Sequence, residues 1–186
     1  MSHQTVAAGY IDLSDSALIE RSRRGDSNAF AELYRRYLTP VYRFIFRQVG
    51  GDVATAEDLT SQVFLEALDH LPDYRERGRF VAWLFTITRR RLADRFRKKA
   101  LPSLEDLPEL LLSVPDGLDE RQNIQTLKRL LEGLNAEQRE LLQLRFSAEL
   151  SFSEMADVLG KREAAVKMAF YRVLNQLRQQ WEAEHE

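Results

Sequence analysis

Two groups of basic side chains in this chain are spaced in ways that suit nucleic acid. Between positions 75 and 99 lie Arg75, Arg77, Arg79, Arg89, Arg90, Arg91, Arg95, Arg97, Lys98 and Lys99 against only Glu76 and Asp94, a net of +8. Tyr74, Phe80, Trp83 and Phe85 are interleaved with these cations. Aromatic faces stack on unpaired bases for roughly 1–3 kcal/mol per base while arginines track phosphates, so this mixture suits a single strand. Phe80 and Trp83 fit a core equally well, and Tyr74, in a loop, is the more accessible stacker. The second group, Lys161, Arg162, Lys167, Arg172 and Arg178 against Glu163, nets +4. It follows a short segment, 151–159, and a glycine, Gly160. A short helix, a Gly turn and a longer basic helix make a helix-turn-helix, whose second helix enters the major groove by its N-terminal end. A plain helical hairpin with a solvated basic face is the other reading of that pattern.

These cations stand out because the whole is nearly neutral. The 186 residues carry a formal charge of -2, with an acidic stretch at 100–121 of net -5 between the two basic ones. Arg outnumbers Lys 22 to 5, and the guanidinium fork matches phosphates and base edges better than an ammonium does. There are no cysteines, which excludes disulfides, thiolate chemistry and Cys-based zinc sites. The histidines His3, His70 and His185 have no metal-ligand spacing, so no metal and no cofactor is expected. The adjacent carboxylates Glu57-Asp58 and Glu105-Asp106 lack a nucleophile, a histidine or a Gly-rich phosphate loop, which argues against an enzyme. No apolar run approaches the ~18 residues of a membrane span, and the first eight residues do not form a signal peptide. A soluble, cytoplasmic protein without membrane insertion is expected.

The elements that must position these groups read as helices. Leucine, at 28, exceeds Val, Ile and Thr together, at 22, while Gly and Pro are scarce, so an all-α fold is expected. Ser14 or Asp15 caps a short helix ended by Gly25, and Ser27 caps the next. Phe30, Leu33, Tyr34, Tyr37 and Leu38 form one apolar stripe. Pro40 interrupts it, and Val41, Phe44, Ile45 and Val49 continue to Gly50-Gly51. Asp52 opens a helix lined by Ala56, Leu59, Val63, Ala67 and Leu68 and closed by Pro72. After a loop at 73–78, a long helix from Phe80 to about Lys99 turns Val81, Leu84, Ile87, Leu92 and Phe96 inward. Pro102, Pro108 and Pro115 break the pattern in the acidic stretch. Asn135 with Gln138, and Ser151 with Glu154, form capping boxes for two further helices. The last helix starts near Arg162 with Val166, Ala169, Val173, Leu174 and Leu177 inward. The organisation expected is two small helical domains, 1–99 and 121–186, joined by a flexible acidic linker at 100–120.

Two sets of stretches, in order, resemble a known family. Ala29-Phe30-Ala31-Glu32-Leu33-Tyr34-Arg35-Arg36-Tyr37, Ala56-Glu57-Asp58-Leu59-Thr60 through Val63-Phe64-Leu65, and Phe80-Val81-Ala82-Trp83-Leu84 with Ile87, Arg89 and Asp94 resemble region 2 of extracytoplasmic-function (ECF) sigma factors. Leu134, Gln138-Arg139-Glu140, Leu144-Arg145-Phe146, Leu150 through Ala156, Leu159-Gly160, Val166-Lys167 and Arg172 resemble region 4. The resemblance implies a factor that binds the RNA polymerase core and directs it to promoters. It implies that Asp58, Leu59, Gln62, Phe64 and Leu65 dock on the β′ clamp helices. It implies that Tyr74, Arg75, Arg77, Arg79, Trp83, Arg89, Arg90 and Arg97 open and read the minus-ten element. Ser151, Lys161, Arg162, Glu163, Lys167, Met168, Tyr171 and Arg172 align with the reader of the minus-thirty-five element, on a domain that meets the β flap. The acidic linker matches a segment that runs through polymerase channels built for RNA. An anti-sigma factor is a further partner of such proteins.

The chain departs from the family pattern in places. Ser61-Gln62 replaces the frequent Gln-Glu, and Thr88-Arg89-Arg90 replaces Ala-Arg-Asn. Ala164-Ala165-Val166-Lys167-Met168-Ala169 stands where Gly-Thr-Val-Lys-Ser-Arg is frequent, without a hydroxyl at Ala165 or a cation at Ala169. Two other readings therefore stay open. One is a stand-alone helix-turn-helix regulator, which leaves the 58–65 stretch unexplained. The other is a mimic that occupies an anti-sigma partner.

Overall fold

The computed structural model describes residues 9–75, 78–98 and 118–185. The chain divides into two compact units between residues 103 and 104. All regular structure among the described residues is helical.

In the first unit, local side chains set the helix starts. Ser14 Oγ accepts from the Ala17 N–H at 3.3 Å and opens α1, Asp15–Arg23. Asp26, not Ser27, caps α2, Ser27–Gln48: its Oδ1 accepts from the N–H groups of Asn28 and Ala29 at 3.1 and 3.3 Å. Ser27 is instead the first helical residue. Asp52 Oδ1 accepts from Thr55 N–H at 3.1 Å and opens α3, Val53–His70. The last helix of the unit, α4, spans Phe80–Lys98.

Pro40 does not interrupt: α2 continues through it. An interior proline removes one helical hydrogen bond and costs about 3 kcal/mol. Beyond it, Val41, Phe44 and Ile45 are completely buried, each contributing roughly 1.5–3 kcal/mol that a broken helix would forfeit. Around them pack Leu18 and Ile19 of α1, Val63 of α3, and Leu84 and Phe85 of α4, with Phe44 and Phe85 edge to face at 5.4 Å. Helix α2 packs against α1, α3 and α4, and α3 also packs against α4.

The entry to this bundle is pinned by one guanidinium. Arg36 donates to the carbonyls of Tyr10, Ile11 and Leu13 at 3.3, 2.8 and 2.7 Å and to Asp15 at 2.8 Å. It is also paired with Glu32, which is buried. Desolvation is the largest single influence on Arg36 and lowers its pKa, but the hydrogen bonds and charges of Asp15 and Glu32 together outweigh it and hold the pKa above its ordinary value.

The second unit begins with α5, Leu118–Glu132, whose first turn falls inside the span expected to be linker. The remainder of that acidic span lies outside the described residues. Both capping boxes form: Asn135 with Gln138 opens α6, Ala136–Phe146, and Ser151 with Glu154 opens α7, Phe152–Leu159. Gly160 ends α7 at φ +63°, a left-handed conformation in which a Cβ is strained, and the Lys161 N–H returns to the Ala156 carbonyl at 3.0 Å. Helix α8, Glu163–Glu184, follows immediately and packs against α5, α6 and α7. Its inward stripe is Val166, Phe170 and Val173, and Leu144 of α6 and Met155 of α7 are completely buried in the same unit. Ala169, Leu174 and Leu177 are only half-buried.

Candidate nucleic-acid interface

Helix α3 offers two faces, and the 58–65 residues divide between them. Asp58 is exposed and accepts from Gln62 Nε2 at 2.8 Å, and Leu65 and Leu68 are exposed apolar side chains on the same helix. Leu59 and Phe64 are buried, which corrects the expectation that they dock outward. They lie on the stripe with Ala56, Thr60, Val63 and Ala67, and the Phe64 ring meets Tyr34 edge-on at 4.7 Å. A partner of this face would meet Asp58, Gln62 and Leu65, with Leu59 and Phe64 behind them.

Beside Leu65 runs a shallow groove of about 280 Å³ lined by Gln62, Leu65, Glu66, Asp69, His70, Arg90 and Arg91. Its floor is a charge cluster. The Glu66 side chain is 4% exposed; Oε2 accepts from Arg91 Nε, and Oε1 forms an ion pair with Arg90. Part of the basic block on α4 is therefore neutralised from α3. Glu66 and Arg91 were absent from the sequence-derived site, since a pairing across 25 residues leaves no local pattern.

The aromatic group also differs from expectation. Tyr74 is 8% exposed, not an open loop residue. The turn after α3 folds it onto α4, where its ring lies 4.7 Å from Trp83 and 5.9 Å from Phe80. Phe80 is buried as well, so Trp83, half-buried, is the ring of the three that retains a face for a base. Arg75 and Arg79 are exposed at this end of the helix, and Arg77 lies outside the described residues. Farther along, Arg89 is half-buried, Arg95 donates to Thr55 Oγ1 at 3.1 Å, and exposed Arg97 pairs with Asp94.

In the second unit, α7, the Gly160 turn and α8 form the expected helix-turn-helix. Ser151 serves as N-cap: its Oγ accepts from Glu154 N–H at 3.2 Å and donates to the Glu154 carboxylate at 2.6 Å. Lys161 is paired with Glu137 of α6, and this cation holds the exposed Glu137 carboxyl below its ordinary pKa. Arg162 occupies the N-cap position of α8 without a side-chain cap bond, and Glu163 sits in the first turn, where a carboxylate suits the helix dipole. Ala164, Lys167, Met168, Tyr171, Arg172 and Asn175 are all exposed and recur at i, i+3, i+4, i+7, i+8 and i+11, one continuous face of the helix. Behind that face Phe170 packs on Phe152 at 5.3 Å and Phe146 at 5.8 Å, and the Arg145 guanidinium covers the Phe152 ring at 5.3 Å. Phe170 was missed in the sequence reading; it stands at i+4 from Val166, the helical spacing that would have found it.

The chain matches two family models in order, Sigma-70 region 2 over residues 33–101 and Sigma-70 region 4 over 124–177. It is 40% identical over 175 residues to the ECF RNA polymerase sigma factor BldN of Streptomyces coelicolor, covering 88% of this chain and 66% of BldN, so the chain spans just under two thirds of that relative. It is 34% identical over 174 residues to the ECF RNA polymerase sigma factor SigD of Mycobacterium tuberculosis, covering 87% of this chain and 81% of SigD. The solved structure of CnrH in complex with the cytosolic domain of CnrY has the same fold, with a TM-score of 0.66 at 23% identity over 91% of this chain and 97% of that one. On these matches the chain belongs to the ECF family of RNA polymerase sigma factors, which act with RNA polymerase in promoter-specific transcription initiation.

Proposed function

We propose that this chain joins the RNA polymerase core and directs it to a small set of promoters, with the two halves of the promoter divided between its units. The 1–99 domain docks on the β′ clamp helices through Asp58, Gln62 and Leu65 and opens the minus-ten element. The 121–186 domain reads the minus-thirty-five element as duplex and meets the β flap. The observation that carries this reading is the exposed face of α8 behind a formed helix-turn-helix, in the same chain as an arginine-rich helix bearing the half-exposed Trp83.

Melting follows from binding. A base inside a duplex is inaccessible, and extruding it costs a few kcal/mol. Stacking on Trp83 returns roughly 1–3 kcal/mol of that. Phosphate contacts from Arg75, Arg79, Arg89 and Arg97 supply the rest. No hydrolysis is required, and the chain acts as a binding factor, not a catalyst. An anti-sigma factor is a further partner in this reading, seated on surfaces that polymerase would otherwise cover; CnrH, of the same fold, is solved in complex with the cytosolic domain of CnrY.

Run-off transcription with purified core on genomic fragments of the source organism tests the whole reading: core plus this chain initiates from discrete sites, and core alone does not. Asp58→Ala, at an exposed position, weakens holoenzyme assembly while changing folding stability by no more than about 0.5 kcal/mol. Unchanged assembly in a core pull-down would remove α3 from the docking surface.

A further inference from the structure

The exposed face of α8 is unusual for a surface of net positive charge, because its centre is apolar. Met168 is 66% exposed and Tyr171 48%, and the methyl groups of Ala164 and Ala165 are exposed one turn nearer the helix start. Lys167 and Arg172, both exposed, flank this strip, one on each edge. Such large apolar side chains are normally turned inward, and here the inward positions are already filled by Val166, Phe170 and Val173.

We propose that this strip reads thymine. The inference rests on the proposed function, in which α8 enters the major groove, and it names the chemistry read there. Of the four bases, only thymine presents an apolar group in that groove, its C5-methyl. A helix-turn-helix brings the first turns of its second helix against the base edges, which is where Ala164, Ala165 and Met168 lie. Met168, unbranched and polarizable, adapts to a methyl whose position shifts with local groove width. Lys167 and Arg172 carry donors and no acceptor, so they suit the phosphates on either side and the acceptor edges of thymine O4 or guanine N7 and O6. Charge complementarity therefore selects the polyanion, and the apolar strip selects the base within it.

The test uses holoenzyme reconstituted from core and the full chain, with a promoter duplex selected by that holoenzyme from a library randomised through the minus-thirty-five window. Deoxyuridine then replaces each thymine of the window in turn, removing a methyl and nothing else. At one or two positions the replacement is expected to weaken promoter binding about four-fold, the equivalent of one lost methyl contact. Met168→Ala is expected to weaken binding to the thymine duplex by a similar factor and to be indifferent to the deoxyuridine exchange. Met168→Leu, which keeps an apolar contact, retains the sensitivity. Because the residue is exposed, neither substitution disturbs the fold. A holoenzyme that initiates from its promoter yet tolerates deoxyuridine at every position would overturn the thymine reading while leaving the proposed function standing. Failure of holoenzyme to form would sink both.

Discussion

Glu66 is the residue whose replacement separates folding from nucleic-acid binding most sharply. Its carboxylate is 4% exposed, whereas the Arg90 and Arg91 side chains that meet it are 60% and 37% exposed. Removing one member of a fully buried ion pair costs about 3–5 kcal/mol, because the other charge is left without solvent or partner. Here both guanidinium groups can turn to water, so that figure is a ceiling. Glu66→Gln preserves shape and keeps an oxygen for Arg91 Nε, and the loss reduces to a weakened charge-assisted bond, about 1–2 kcal/mol. The same change raises the net charge of the α3–α4 face by one and frees Arg90 and Arg91 for phosphates. Each newly engaged phosphate of a single strand adds about 0.7 to the log-log salt slope, giving up to about 1.4 for the two. The chain holds two tryptophans, Trp83 in the first unit and Trp181 in the second. A Trp181→Phe background therefore lets urea melting of the first unit be followed by Trp83 fluorescence alone. The expected variant is less stable and binds a single-stranded oligonucleotide with a steeper salt dependence. Equal stability together with an unchanged slope would refute the idea that Glu66 competes with nucleic acid for these arginines.

Tyr74→Ala empties a buried site against Phe80 and Trp83 and is expected to cost about 3 kcal/mol in the Trp83-monitored melt, whereas Trp83→Ala acts chiefly on promoter opening, measured by permanganate footprinting of the holoenzyme. Ser151→Ala removes the Oγ that caps α7, leaving only the backbone arm of the capping box from the residue 151 N–H to the Glu154 carboxylate, and lowers the stability of the second unit by about 1 kcal/mol in a Trp181-monitored melt. The Glu137 carboxyl, held low by Lys161, is stabilised by that pair at pH values above its unfolded pKa; the contribution disappears as pH falls through the depressed folded value. Lys161→Met is expected to return Glu137 to its ordinary titration, read by NMR of the carboxyl carbon.

What could be read from the sequence was mostly local in origin. Both capping boxes lie within four residues of chain, and Gly160 follows a helix that has already spent its apolar stripe, so their geometry is written in short spacings. Asp26 and Ser27 are neighbours with equally suitable oxygens, and the choice between them belongs to backbone angles, which neighbouring letters do not encode. Pro40 misled for a different reason. Its cost is local, whereas the burial of Val41, Phe44 and Ile45 that overrides it comes from α1, α3 and α4. Tyr74 belongs to the same class, since a loop position suggests exposure until a neighbouring helix covers it. Within 58–65, the family pattern points at a helix and not at a side of it; period 3.6 places Leu59 and Val63 inward, whereas Phe64 stands at the edge of that stripe, four residues after the buried Thr60, and only packing against its neighbours decides its side.

The charge count of a segment overstates what it can offer a phosphate. Ten cations lie between Arg75 and Lys99, yet Glu66 engages Arg90 and Arg91 from another helix, Asp94 engages Arg97, and Arg95 is tied to Thr55. Each tie lowers the local positive potential or fixes a side chain that would otherwise lose rotamer freedom on binding. The second effect partly compensates for the first, because ordering a long side chain at an interface costs about 0.5–1.5 kcal/mol. Helix α8 shows the opposite arrangement. Lys167 and Arg172 are exposed, form no ion pair among the described residues and stand beside apolar side chains, so their contact with a duplex starts from a solvated state and is correspondingly sensitive to salt. In the reading proposed here, the first unit spends part of its charge on rigidity, as a surface must when it holds an unpaired and flexible strand in one geometry. The second unit can leave its cations loose, because the duplex it meets is already stiff.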